Sequence, residues 1–279
     1  MKNAILVLTL MLYFTSFSIG QNSIIEQNIQ DFSFMQGNWI GTLAYTDYQD
    51  DKTQVQLKTT KSYMILDKKL FTQTTYIEPN GVPVYNKGQI LVTKKGDKIN
   101  FDGEMLAVSE KKDGRIVLTG MGQDNDKKSV IRETIEYATD KMTITKAVKY
   151  EDSNDFLLRH QYLFQRESTD SIRQRLLATA FGTWELDLRP SPEAQPYLKD
   201  FIISSFADGK LSGVFYGNSF TNGKIHVAWG KLYFSFTTAD NSGTYFHSGY
   251  IDEGRLYGTS YSEARDFMIP WFSTRKKQV

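Results

Sequence analysis

The sequence predicts an all-β protein made of two small antiparallel, up-and-down β-barrels in tandem. Three observations predict it. A Gly-x-Trp triplet occurs twice, as Gly37-Asn38-Trp39 and Gly182-Thr183-Trp184. Each copy opens a strand-like stretch that closes on an arginine, Arg166 in the first and Arg275 in the second. Between the two stretches lies the one clear helical pattern of its length, residues 168–180.

The 279 residues include 33 Lys and Arg against 32 Asp and Glu, for a formal net charge of +1. Residues 1–20 read as an export signal. Lys2 supplies the positive start, Ile5 to Phe14 the apolar run, and Ser18 and Gly20 the small residues before a cut. The run is shorter than the about 20 apolar residues that span a bilayer. No later segment is long and apolar enough to cross a membrane. A periplasmic or secreted location is therefore expected. Without Lys2 the charges balance, which leaves no electrostatic footprint for nucleic acid. There is no cysteine, so neither a lipid-modified N-terminal cysteine nor a disulfide is available and packing alone must hold the fold.

Residues 22–31 are polar with a few apolar positions and suit a short capping helix. From Phe32 to Arg166 the chain reads as strand after strand. Val55-Gln56-Leu57-Lys58-Thr59 and Lys98-Ile99-Asn100-Phe101 alternate apolar and polar, and Met142-Thr143-Ile144-Thr145 is β-branched. Pro79-Asn80-Gly81, Lys95-Gly96-Asp97, Asp113-Gly114 and Asp124-Asn125-Asp126 are turn-formers, since Gly and Asn accept positive φ cheaply. Short turns throughout leave no room for the crossover helices of a parallel sheet.

In residues 168–180, Thr169 or Asp170 can cap a helix whose Ile172, Leu176, Leu177 and Ala180 share one face. Strands return from Phe181. Turns are expected at Asp208-Gly209, Asn222-Gly223, Asn241-Ser242-Gly243 and Glu253-Gly254. Their even spacing suits a meander, and closing it removes exposed edges.

Each Gly-x-Trp heads a first strand and each arginine ends a last one. This arrangement resembles the lipocalin and fatty-acid-binding (calycin) superfamily. The resemblance implies that Trp39 and Trp184 plug one end of each barrel, with Arg166 and Arg275 over their indoles. A guanidinium over an indole contributes about 0.5–2 kcal/mol. Ser242-Gly243-Thr244-Tyr245, Gly258-Thr259-Ser260 and Phe267-Met268-Ile269-Pro270-Trp271 are similar to bacterial lipocalin-like domains of unassigned function. The first interval is the longer, enough for a roomy barrel. The second is compact, with about eight strands, a size filled by its own side chains or holding one small ligand.

Aromatic residues are denser from Arg175 onward than before it. If the second barrel holds a ligand, its wall is expected to draw on Phe215, Trp229, Phe234, Phe236 and Tyr245, with the Tyr245 hydroxyl at the mouth. The competing expectation is that these rings are ordinary core, with the first barrel as the alternative host. His160, His226 and His247 lack the spacing of a preformed metal site. His160 lies six residues before Arg166, on the last strand of the first barrel. That resembles nitrobindin-like haem barrels, in which a late-strand histidine ligates the iron.

No Gly-x-Ser-x-Gly elbow and no Gly-rich phosphate loop is present. Asp124-Asn125-Asp126-Lys127 lacks the Gly and closing Glu of a calcium loop and reads as a solvated turn. Arg265-Asp266 reads as a loop anchor at a barrel rim. The domains are thus a signal (1–20), a first lipocalin-like barrel (21–167), and a linking helix with a smaller barrel (168–279). The expected role is non-catalytic binding of a small apolar or amphipathic molecule, without cofactor, or structural service in the envelope. The alternatives are a haem-binding barrel and a lipocalin-type isomerase or cyclase.

Overall fold

The computed structural model describes residues 27–276. The export-signal reading lies outside the described residues, as do residues 22–26 of the proposed capping helix. A 3-10 helix, Ile29–Met35, leads into the first barrel, with Asn28 and Asp31 forming a capping box at its start.

The first barrel closes through ten strands: β1 (Gly37–Thr46), β2 (Gln54–Leu66), β3 (Lys69–Ile77), β4 (Pro83–Val92), β5 (Ile99–Phe101), β6 (Glu104–Lys112), β7 (Arg115–Asp124), β8 (Lys127–Tyr137), β9 (Lys141–Tyr150) and β10 (Leu157–Arg166). All neighbours are antiparallel, and β1 closes on β10 with Trp39 opposite Arg166. Helix α1 (Thr169–Ala180) follows, capped by the Ser168 side chain rather than by Thr169 or Asp170. Its Ile172 and Ala180 are buried, and Leu176 and Leu177 pack on the second core.

The second barrel comprises β11 (Gly182–Asp187), β12 (Leu198–Ala207), β13 (Lys210–Phe215), a two-residue β14 (Asn218–Ser219), β15 (Thr221–Ala228), β16 (Lys231–Asp240), β17 (Gly243–Asp252), β18 (Arg255–Ser262) and β19 (Phe267–Arg275). Pairing of β12 with β13 closes an eight-stranded ring, with β14 as an appendage of β13. Asn222-Gly223 is not a turn. It sits in a bulge of β15, where a Cβ on Gly223 would lie 2.0 Å from the Leu211 carbonyl oxygen. Reversals fall instead at Tyr216-Gly217 and Trp229-Gly230, whose φ angles are all positive.

The two plugs are built alike. Trp39 and Trp184 are 0% and 1% exposed, and each indole N–H donates to the carbonyl four residues back, Met35 at 2.7 Å and Ala180 at 2.9 Å. The guanidinium carbon of Arg166 lies 4.2 Å from the Trp39 ring, and that of Arg275 lies 5.5 Å from the Trp184 ring. Arg166 also donates to the carbonyls of Thr139, Gln36 and Phe34, and Arg275 to those of Thr179 and Phe181. Each arginine thereby ties the last strand to the helix that enters its barrel.

The barrels touch through the β17–β18 turn. Asp252 accepts from Lys231 at 2.9 Å and from Gln73 of β3 at 3.1 Å, while Lys87 of β4 pairs with Glu253 at 3.0 Å. Burial alone would raise the Asp252 carboxyl, but Lys231, Gln73 and Lys87 hold it below the usual range. A cleft of about 550 Å³ beside this contact is walled mainly by the outer faces of β1–β4, α1 and the docked turns.

Both plug glycines adopt positive φ, 114° at Gly37 and 123° at Gly182. A Cβ on Gly37 would meet the Arg166 guanidinium at 2.7 Å, against 3.2 Å from Gly182 to Arg275. Gly37→Ala should cost roughly 1–3 kcal/mol, and Gly182→Ala less, because its guanidinium has more room. Denaturant melts of both variants check the order; equal losses would contradict it.

Candidate functional site

The two interiors differ in kind. In the second barrel, Phe201, Phe215, Phe220, Phe234, Phe236 and Trp271 form one core in which no ring is more than 7% exposed. Phe201 touches each of the other five rings at centroid distances of 5.2–6.2 Å. His247 is held by Thr238 and Ser260, an ordinary buried imidazole, and burial lowers its pKa to about 4. The structure thus brings Phe215, Phe234 and Phe236 together as packing partners. Trp229 does not join them, which corrects its expected place on the wall. It occupies the Trp229-Gly230 turn at φ 50° and is 83% exposed, because the hairpin reverses one residue earlier than strand alternation suggests. Tyr245 lies at the rim, where its hydroxyl contacts Ser242 and accepts from Arg265.

The first barrel is packed near its plug and polar farther in. Phe32, Met35, Trp39, Leu70, Ile90 and Leu106 are all 0% exposed. Beyond them a cavity of about 520 Å³ is lined by Lys61, Thr72, Thr74, Tyr76, Glu133, Lys146, His160 and Tyr162. These residues occupy interior positions of β2, β3, β8, β9 and β10. The cavity reaches the surface beside β4. Only residues 90–92 of β4 pair with the three-residue β5, so residues 83–89 have a free edge there. The β5–β6 hairpin turns at Asp102-Gly103, both at positive φ. Its tip therefore sits at the mouth of the lumen.

Lys61 is 5% exposed, and its ammonium lies 5.3 Å from the Tyr63 ring and 5.2 Å from the Tyr162 ring. Its one hydrogen bond runs to Asp102 at 3.4 Å. Burial opposes its charge, but the Tyr63 hydroxyl and Asp102 outweigh this and hold its pKa well above the usual value. Lys146 pairs with Glu104 at 3.6 Å. Glu133 is 4% exposed, and its Oε2 has no partner, nor has the buried Tyr63 hydroxyl. Burial raises Glu133 to about 8 against the pull of Lys146, so it is mainly protonated at neutral pH. Burial also raises Tyr63 to about 12. Burial, reinforced by the charges of Lys146 and Lys61, lowers His160 to about 3 and keeps it neutral. The Tyr76 and Tyr162 hydroxyls bond to each other at 2.9 Å.

The end opposite the plug is closed by ions. A β-bulge between Leu158 and His160 inserts Arg159, so that Arg159 and His160 both face inward. Arg159 is 0% exposed and donates to Asp124 at 2.6 and 2.9 Å, to Asp51 at 2.9 Å and to the Tyr150 hydroxyl at 2.5 Å. Asp124 is therefore a buried anchor at the base of its turn, not a solvated residue. Sequence reasoning did not find Lys61, Tyr63, Glu133, Lys146, Asp102, Glu104 or Arg159. Glu133 and Lys146 stand at inward phase between apolar neighbours and Lys61 between Thr59 and Tyr63, Asp102-Gly103 is a hairpin dipeptide, and nothing local marks the bulge. Among the described residues, no group of three or more His, Asp or Glu is placed to hold a metal ion, and no helix is long and apolar enough to cross a membrane.

The molecule is thus a protein of two closed antiparallel barrels, one filled and one with a polar lumen. No family model and no curated protein matches the sequence. Among solved structures, one similarity is to a protein of unknown function of the DUF3598 family from Nostoc punctiforme. It spans 89% of this chain and 98% of that one, at 9% identity and a TM-score of 0.23. Another, to MucB in complex with MucA(peri), spans 88% and 90%, at 8% identity and a TM-score of 0.18. Likenesses this distant carry no argument about either chain.

Phe234→Ala should lower stability by about 3–5 kcal/mol, whereas Trp229→Ala should stay within about 0.5 kcal/mol of the parent. Equilibrium unfolding in urea distinguishes them, and a large loss at Trp229 would contradict its exposed placement.

Glu133 yields a pH prediction. Its folded pKa of about 8 lies above the ordinary 4.5, so the folded state keeps a proton that the unfolded chain has released. Stability is lost as pH rises through that interval. His160 releases its proton near pH 6.5 only in the unfolded chain, and because parent and variant both carry it, that contribution is common to the two curves. Glu133→Gln should flatten the fall in melting temperature between about pH 6.5 and 8.5, a difference worth a few kcal/mol. Thermal melts across that range check it, and parallel curves would show that Glu133 is not buried as a neutral acid.

Proposed function

We propose that this chain is a non-catalytic binding protein that holds a small polar molecule in the lumen of the first barrel. One observation carries the reading: a 520 Å³ cavity whose wall leaves the buried Glu133 Oε2 without a partner. A buried polar group without a hydrogen bond costs about 1–3 kcal/mol, and an occupant with matching groups would offset that cost. The same walls favour a polar occupant over the apolar one expected from aromatic density, since the aromatic positions of the second barrel are already packed against one another.

The plug geometry supports the lipocalin-like reading, in which such barrels carry small molecules. With residues 1–20 taken as an export signal, the protein would work in the periplasm or outside the cell. The lumen does not suit haem. A porphyrin beside His160 would press its apolar faces on Lys61, Glu133 and Lys146, and the apolar half of the barrel is occupied by packed side chains.

Thr74, 4% exposed on β3, lines the lumen. Thr74→Trp should obstruct it. Native mass spectrometry of the full chain isolated from its source should show a bound small molecule in the parent and none in the variant. A parent that carries nothing, and takes up nothing from a metabolite extract, would leave the barrel a structural role.

A further inference from the structure

The lumen gathers donors whose partners are few and distant. Lys61 carries three N–H donors and one acceptor contact, at 3.4 Å. Lys146 has one carboxylate, at 3.6 Å. Tyr76 and Tyr162 share one hydrogen bond, which leaves one of their two O–H protons free to donate. Glu133 adds its unpartnered oxygen as a further donor when protonated. The carboxylates opposite the two lysines are Asp102 and Glu104, both from the tip of the β5–β6 hairpin at the mouth.

These two acids are poorly committed. Both contacts are long for ion pairs, and the Asp102 and Glu104 side chains are 45% and 27% exposed, against 4% and 14% for their lysines. Gly88 leaves the space that Asp102 uses: a Cβ there would lie 3.2 Å from Asp102 Oδ1 and 2.8 Å from Thr72 Oγ1. A swing of two side chains toward solvent would expose two ammonium groups to the lumen without breaking a strand pair. A buried lysine such as Lys61 that loses its only carboxylate is strongly unfavourable, so another anion would have to take that place.

Building on the lumen reading, we propose that the bound molecule is a small polar oxyanion, a carboxylate or a phosphate. Lys61 and Lys146 hold it, and Asp102 and Glu104 occupy the lysines until it displaces them. The hairpin acids thus act as an internal competitor that sets the affinity and keeps the empty site neutral.

The probe is inorganic phosphate, titrated calorimetrically at low ionic strength into the full chain. Asp102→Asn with Glu104→Gln keeps size and hydrogen bonding while removing both competing charges. That double variant should bind phosphate at least ten-fold more tightly than the parent, and adding Lys61→Met should abolish the gain. Equal affinity in parent and double variant, including no binding by either, overturns the proposal. So does tighter binding that survives Lys61→Met. Circular dichroism confirms that each variant is folded. A neutral molecule found in the lumen, together with a flat phosphate response, would sink the anion proposal alone. An empty lumen together with a flat response would sink the lumen reading as well.

Discussion

Everything in this molecule depends on an arginine laid over an indole at the seam where each barrel closes. A barrel removes sheet edges only if its first and last strands meet in register. Trp39 stands directly opposite Arg166, and Trp184 directly opposite Arg275. The indole fills the barrel end, its N–H satisfies the last carbonyls of the entering helix, and the guanidinium takes up further carbonyls. Helix termini leave such carbonyls without intrahelical partners. One pair of side chains thereby closes the ring, plugs the end and fixes how the chain enters. The glycine two residues before each tryptophan belongs to the same device, because both adopt a positive φ that a side chain disfavours, and at Gly37 a Cβ would also crowd the guanidinium.

With both barrels closed alike, strand number separates their roles. Barrel diameter grows with the number of strands. Eight strands in the second barrel leave a volume that six aromatic rings fill. Ten strands in the first leave space that its apolar residues do not fill, and the interior positions around it carry Thr, Tyr, Lys, Glu and His. Buried charge at such positions is costly, and the structure meets the cost in two ways. At the deep end Arg159 is surrounded by Asp124, Asp51 and Tyr150, a saturated cluster. At the mouth Lys61 and Lys146 are only loosely satisfied by the hairpin acids. The first arrangement suits permanent closure and the second suits exchange.

Much of this fold was legible beforehand, for reasons that are local. The two Gly-x-Trp triplets, the terminal arginines and the run of turn dipeptides express backbone geometry and short-range packing. The strands β13, β16, β17 and β18 and helix α1 accordingly fall close to where their patterns put them. The failures are also physical. Asn222-Gly223 reads as a hairpin dipeptide, yet Gly223 is needed where β15 crosses close to the Leu211 carbonyl, so it became a bulge. Trp229 keeps the alternation of Ile225 and Val227 in sequence, but the turn at Gly230 takes it out of the strand.

The candidate site was scarcely legible at all. Lys61, Glu133, Lys146 and His160 come from four strands, and each alone is an unremarkable polar residue. A single inserted residue at Arg159 changed which side chains face inward, and no composition or period announces it. What the sequence by itself determined is the class of fold, the number of barrels and the closure of each, because strand alternation, turns and the Trp–Arg pair act over short distances or at a barrel seam. Which barrel is filled and which keeps a polar lumen was decided only by the tertiary structure, because that depends on how many strands close the ring and on which side chains the ring turns toward one another.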